Sequence, residues 1–200
     1  MEQRHPRKPA SAAAAKAAAG KQIKEATAVK PARGTTRRGI VSSSHLVSPR
    51  SVELSEFEFG LIVAWNAFSR WAMRCMAAAG CPDLTITDVL VLHHINHRAR
   101  NKKLADICFV LNYEDTHVVA YSLKKLLAAG LAQGDRQGKE VFYSPTAAGE
   151  AAVQKYREVR ETCLIDNLDT ERNPDIGEMA RLLRTMSGLY DQAARAATSL

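Results

Sequence analysis

The sequence predicts a mainly α-helical (α+β) domain in which long terminal helices flank a group of shorter helices and a single β-hairpin. Three observations carry this. Apolar residues recur every three or four positions through most of residues 51–200, as one buried helix face requires. Helix-capping residues and Gly or Pro stops punctuate that pattern. Between Gly130 and Thr146 it gives way to two short extended runs around a polar, Gly-containing turn.

Hydrophobic residues at 46% and charged residues at 24% are ordinary globular values, which excludes a wholly disordered or collagen-like chain. No run of eighteen apolar residues occurs, so no membrane span is expected. The net charge of +7 is unevenly placed. Residues 1–50 hold eleven Lys+Arg against two acids, net +9, and residues 51–200 hold 17 against 19, net −2. A folded part so close to neutral attracts a polyanion only through local placement of its charges.

Residues 1–50 are Ala-rich, basic and almost free of large apolar side chains, with Pro6, Pro9, Pro31 and Pro49, and are expected to be a disordered tail. Such an arm can lie along phosphates without reading sequence; a non-functional extension is the plainer reading. Ala12 to Ala19 is interrupted by Lys16 and too weakly apolar for a secretory signal. The acid-poor composition also resembles an organelle transit peptide, but its Lys and Pro content fits a simple basic tail. Cys75, Cys81, Cys108 and Cys163 form no Cys-x-x-Cys pair, so neither a zinc ribbon nor a disulfide scaffold fits, and a cytoplasmic protein is the default.

Within residues 51–200 a long first helix carries Phe57, Leu61, Ala64, Trp65, Phe68, Ala72, Cys75 and Met76, and stops at Gly80 and Pro82. Thr85 and Asp88 form a capping box for a second helix with Val89, Leu90, Leu92 and Ile95. A short third helix is expected over Lys102 to Leu111, capped by Asn101. Asp115 caps a fourth, Thr116 to Ala129, with Val119, Leu123, Leu126 and Leu127 inward and Gly130 at its end. The hairpin turns at Gly134 to Gly138. A helix from Thr146 to about Leu168 has Cys163 inward. A last helix from about Asp175 carries Ile176, Met179, Leu182, Leu183, Met186, Leu189 and Tyr190 on one side.

Two helices across a short turn, the second followed at once by a hairpin, make a winged helix-turn-helix flanked by long N- and C-terminal dimerisation helices. Three segments resemble the MarR family of transcriptional regulators over about residues 54 to 197. Lys103-Leu104-Ala105-Asp106-Ile107 is similar to the family's third helix. Ser122 to Leu131 resembles the end of its recognition helix, with Gly130-Leu131. Asp135-Arg136 through Lys139 to Thr146-Ala147-Ala148-Gly149 resembles its wing. Pro145 stands where the family has Leu, and Lys139 where it has Arg. Lys lacks the forked donors of Arg, which shifts the minor-groove role toward Arg136.

The resemblance implies a dimeric regulator of double-stranded DNA, a repressor by expectation, with a small phenolic or aromatic ligand between the dimer helices and the winged domain. The residues themselves point to the same DNA site. With its apolar side inward, the fourth helix turns out Thr116, His117, Ala120, Tyr121 and Lys124, a face suited to base edges and thymine methyls. Lys102, Lys103, Lys124 and Lys125 are candidate phosphate clamps, with Arg136 and Lys139 on the wing. Phe57, Trp65, Phe68, Leu182, Met186 and Leu189 are more apolar surface than two terminal helices can hide alone, which points to a homodimer.

Other readings rest on fewer residues. His93 and His97 have the i, i+4 spacing of a metal pair, but no third ligand is evident nearby. Cys81, in a loop before Pro82, is the candidate redox thiol, since the other cysteines fall in helices expected to bury them. A metal- or thiol-sensing regulator, or an architectural, sequence-tolerant DNA binder, is therefore the alternative. No Gly-rich phosphate loop, nucleophile elbow or paired carboxylates are present, so neither an enzyme nor a cofactor is expected.

Overall fold

The computed structural model describes residue 45, residues 47–97 and residues 101–200. The basic segment assigned to residues 1–50 therefore lies, but for its last few positions, outside the described residues. Among the described residues, six α-helices and three short strands follow in the order α1 (Val52–Ala78), α2 (Ile86–Asn96), β1 (Lys102–Lys103), α3 (Leu104–Leu111), α4 (Thr116–Ala128), β2 (Ala132–Gln137), β3 (Glu140–Pro145), α5 (Ala147–Arg160) and α6 (Asn173–Ala197).

The core is small and sits where α2, α3 and α4 meet the end of α1 and one side of α5. Met76, Val89, Val91, Leu92, Ile95, Ile107, Val119, Leu123 and Leu126 are essentially solvent-free. The Thr85 capping box forms as expected: Asp88 N–H donates to the Thr85 hydroxyl at 3.3 Å, and Thr85 N–H donates to the Asp88 carboxylate at 2.8 Å. Asp115 caps α4 by accepting from His117 N–H at 2.9 Å.

Four expectations need correction. Residues 102–103 are not the first turn of α3 but a strand: Lys102 pairs with Tyr143 and Lys103 with Phe142, giving a three-stranded antiparallel sheet in the order β1-β3-β2. The helix starts after Lys103, whose N–H donates to Asp106 at 3.2 Å, so Asn101 is not its cap. Leu127 is not inward but 39% exposed, because α4 is rolled toward Ser122, which is buried. The helix begun at Ala147 is not regular to Leu168; a π-turn over Glu161–Ile165 interrupts it. A π-turn adds a residue to the helical register. Cys163 thereby loses the inward alignment with Tyr156 and Val159 and is exposed.

The end of α4 and the start of α5 are joined around one backbone carbonyl pair. Gly130 has φ +68°, the left-handed conformation that ends a helix. Thr146 donates its hydroxyl to the Gly130 carbonyl at 2.6 Å and its N–H to the Leu131 carbonyl at 3.2 Å. The same hydroxyl accepts from Gly149 N–H at 3.1 Å, capping α5. This is the physical content of the Gly-Leu and Thr-x-x-Gly pattern, which holds both arms of the hairpin against the end of α4.

Beyond the core, α1 and α6 present broad apolar faces to solvent. Phe59, Leu61, Ile62, Val63, Trp65 and Phe68 on α1 are each at least 38% exposed, as are Ile176, Met179, Leu182, Leu183 and Leu189 on α6. Tyr190 joins the two helices by donating to the Glu58 carboxylate at 3.1 Å.

Candidate nucleic-acid interface

The site begins with the roll of α4. At 100° per residue, burying Val119, Ser122, Leu123 and Leu126 turns His117, Tyr121 and Lys124 to the opposite side. Thr116 and His117 are exposed in the first turn, Tyr121 is 71% exposed, Lys124 is exposed and Ala120 is half-buried at the margin. The side chains expected to read bases therefore all lie on the exposed or marginal surface of α4. Its N-terminal turn lies at the positive end of the helix dipole, with His117 N–H already held by the Asp115 carboxylate.

The wing follows directly from α4. β2 and β3 pair from Ala132 with Pro145 to Gln137 with Glu140, so residues 134–137, expected in the turn, are strand, and the turn is confined to Gly138, at φ +65°, and Lys139. Arg136 and Lys139 are exposed at its tip, where Arg136 Nε donates to the Gly138 carbonyl at 3.3 Å. That bond leaves the rest of the guanidinium fork at the tip. A guanidinium so placed is the group suited to a narrow minor groove.

The candidate phosphate clamps separate into two kinds. Lys124 lies in the open. Lys102 Nζ donates to the His97 carbonyl at 2.6 Å, and Lys103 is paired with Glu140 at 2.6 Å with its Nζ 5.2 Å from the centre of the Phe142 ring. Lys125 turns inward: its Nζ donates to the Asp88 carboxylate at 2.8 Å and to the Asp83 carbonyl at 2.6 Å. Lys125 is thus a strut between helices, a correction to its reading as a clamp. Asp88 was legible as a helix cap, but its second role was not, because nothing in the sequence pairs residues 37 positions apart. Burial raises the Asp88 carboxyl, but hydrogen bonds from Lys125, Thr85 and Ser122 outweigh this and hold it below its usual range.

The other candidate groups are dispersed. His97 ends α2 in an extended conformation, ψ 125°, so it does not continue the helix face of His93. His93 lies edge-on to Tyr156 with ring centroids 4.5 Å apart, and burial lowers its pKa. His94 is lowered by burial and then by nearby Lys102 and His97. Among the described residues no group of three His, Cys, Asp or Glu side chains is placed to hold a metal. Cys81 is half-buried and its thiol is pushed up by burial, the opposite of what a reactive thiolate needs. Between α1, α2 and α5 is a cleft of about 390 Å³ walled by Phe68, Val89, Leu90 and Tyr156, with His93, Arg157 and Arg160 supplying polar groups.

Residues 84–149 match the family model described as a winged helix DNA-binding domain. No curated protein matches the sequence. Among solved structures, the chain is similar to AbfR of Staphylococcus epidermidis, at 17% identity and a TM-score of 0.57, covering 72% of this chain and 99% of that one. FabT of Streptococcus pneumoniae, solved in complex with DNA, aligns at 15% identity and a TM-score of 0.54, over 68% of this chain and 99% of FabT. The MarR family transcription regulator SP03579 aligns at 14% identity and a TM-score of 0.57, over 71% of this chain and 95% of that one. Residues 84–149 thus match a winged helix domain, and the described chain has the fold seen in the solved MarR-type regulators. Among the described residues no helix is long and apolar enough to cross a membrane.

Proposed function

We propose that this protein is a cytoplasmic transcriptional regulator, acting as a repressor, that binds a pseudo-palindromic operator in double-stranded DNA as a homodimer. The observation that carries this reading is the outward face of α4, where Thr116, His117, Tyr121 and Lys124 stand beside a wing tipped by Arg136 and Lys139. A hydroxyl, an imidazole and a phenol at helical spacing offer donors and acceptors to base edges, while Lys124, Lys102, Lys103 and Lys139 face phosphates. The apolar faces of α1 and α6, with Trp65, Phe68, Leu182 and Leu189 exposed and Phe57 and Met186 half-buried, are the dimer surface in this reading. Burying them between two copies removes a patch that a soluble monomer rarely carries.

Twofold symmetry in the protein is mirrored in its site, so half-sites about one helical turn apart are expected. A small phenolic or aromatic ligand in the cleft between α1, α2 and α5 releases DNA in this reading, by binding one spacing of the two recognition helices better than the other. Selection from fragments of the source genome tests the proposal. Recovery of a palindromic sequence supports it, and recovery of fragments with no common sequence would favour an architectural DNA binder.

A further inference from the structure

The polar cluster buried between α2 and α4 has a role that the DNA-facing residues do not explain. Asp88, in the first turn of α2, is 1% exposed, and its carboxylate receives three kinds of donor. Thr85 N–H comes from its own cap, the Ser122 hydroxyl from the middle of α4, and Lys125 Nζ from one turn further along α4. Ser122 and Lys125 are three residues apart and so lie on the same side of α4. Lys125 also donates to the Asp83 carbonyl in the loop before α2.

A buried carboxylate without its partners is strongly unfavourable, so α4 is held at the roll that delivers both donors. The apolar packing of Val119, Leu123 and Leu126 is less exacting, since it tolerates small rotations better than a charged hydrogen bond does. One residue before each donor stands a member of the reading face: Tyr121 precedes Ser122, and Lys124 precedes Lys125. Fixing the donors inward therefore fixes the direction of Tyr121 and Lys124 outward.

We infer that Ser122, Asp88 and Lys125 form a clamp that sets the roll of the recognition helix, making Lys125 a positioning residue for sequence reading and not a phosphate ligand. The inference rests on the proposed DNA-binding function, and a double readout separates the two. On a random-sequence duplex, Lys124→Ala should lower the log–log salt slope by about 0.9, the value for one phosphate neutralised, while Lys125→Met leaves it unchanged. Lys125→Met should nevertheless lower preference for the genome-selected duplex over the random one by roughly fivefold or more, the range expected for a misplaced base-reading side chain. Lys125→Arg, which retains the charge and donors, should restore most of it.

A second measurement needs no variant. In the full-length wild-type protein, acylation by an amine-reactive ester, followed by mass spectrometry, should label Lys125 several-fold more slowly than Lys124, and added random duplex should slow only Lys124. Protection of Lys125 by DNA, a slope lowered by Lys125→Met, or undiminished preference in that variant would each overturn the clamp. If DNA left Lys124 as reactive as before and its substitution left the slope alone, the DNA-binding reading itself would fall, and the clamp's role with it.

Discussion

Gly149 sits directly over the carbonyl of Leu131, so closely that a side chain's first carbon would overlap the Leu131 oxygen. This close approach joins the first turn of α5 to the start of β2, and Thr146 bonds to the same carbonyl. Gly149→Ala should therefore lower stability by about 1–3 kcal/mol, the range for overpacking at a site whose neighbours must shift. The denaturant midpoint checks this. An unchanged midpoint would mean that the two elements separate freely.

Stability should also respond to pH in two windows. The folded-state pKa values of His93 and His94 are lowered, first of all by burial. The unfolded chain then binds more protons below about pH 6.5, so stability falls as pH drops through that value and recovers above it. His93→Phe should flatten this window. Asp88 is likewise held below its ordinary value, so its contribution is present above about pH 4 and is lost in stronger acid as pH falls through its folded value. Urea denaturation across pH, with Asp88→Asn for the lower window, measures both.

These groups mark what the sequence made legible. Capping by Thr85 and Asp115, the stop at Gly130 and the hairpin are local matters, decided by a few adjacent residues, and each was readable. The outward placement of His117, Tyr121 and Lys124 on α4 follows from helical period alone. The strand at Lys102–Lys103 was hidden because two lysines carry no strand pattern of their own; their conformation is imposed by pairing with Phe142 and Tyr143, about forty residues later. Leu127 and Cys163 depart from the apolar period for related reasons. A buried hydroxyl drew α4 toward Ser122, and a π-turn moved the register of α5, and neither leaves a mark on apolar periodicity.

The lysines should differ in their contribution to DNA binding. Lys124→Ala should weaken binding to all sequences alike. Lys103→Ala should do so less, since Glu140 already neutralises Lys103. Titrations against a random duplex at low and moderate salt would show the order. A larger effect at Lys103 would mean that DNA displaces Glu140 from it.

Removal of residues 1–50 takes away a segment of net charge +9. If that segment lies along phosphates, its deletion should reduce affinity for all DNA together and flatten the salt dependence, by about 0.9 in log–log slope for each phosphate it had neutralised. Preference for operator over random DNA should persist, because α4 and the wing remain. An unchanged slope would show the segment to be inert in binding.

The apolar faces of α1 and α6 should keep the protein dimeric at micromolar concentration. Sedimentation equilibrium of the wild type checks this, and charged replacements of Trp65 and Leu189 should shift the protein toward monomer. A monomeric wild type would leave those faces without a partner and remove the basis for a palindromic site.

Reading of sequence by α4 through His117 and Tyr121 is central to the proposed function. It is tested most directly by measuring the affinity of wild type, His117→Ala and Tyr121→Ala for the genome-selected duplex and for a random duplex at one salt concentration. Each substitution should lower the ratio of the two affinities by roughly fivefold or more, while binding to the random duplex changes little. Ratios that stay at the wild-type value in both variants would contradict it.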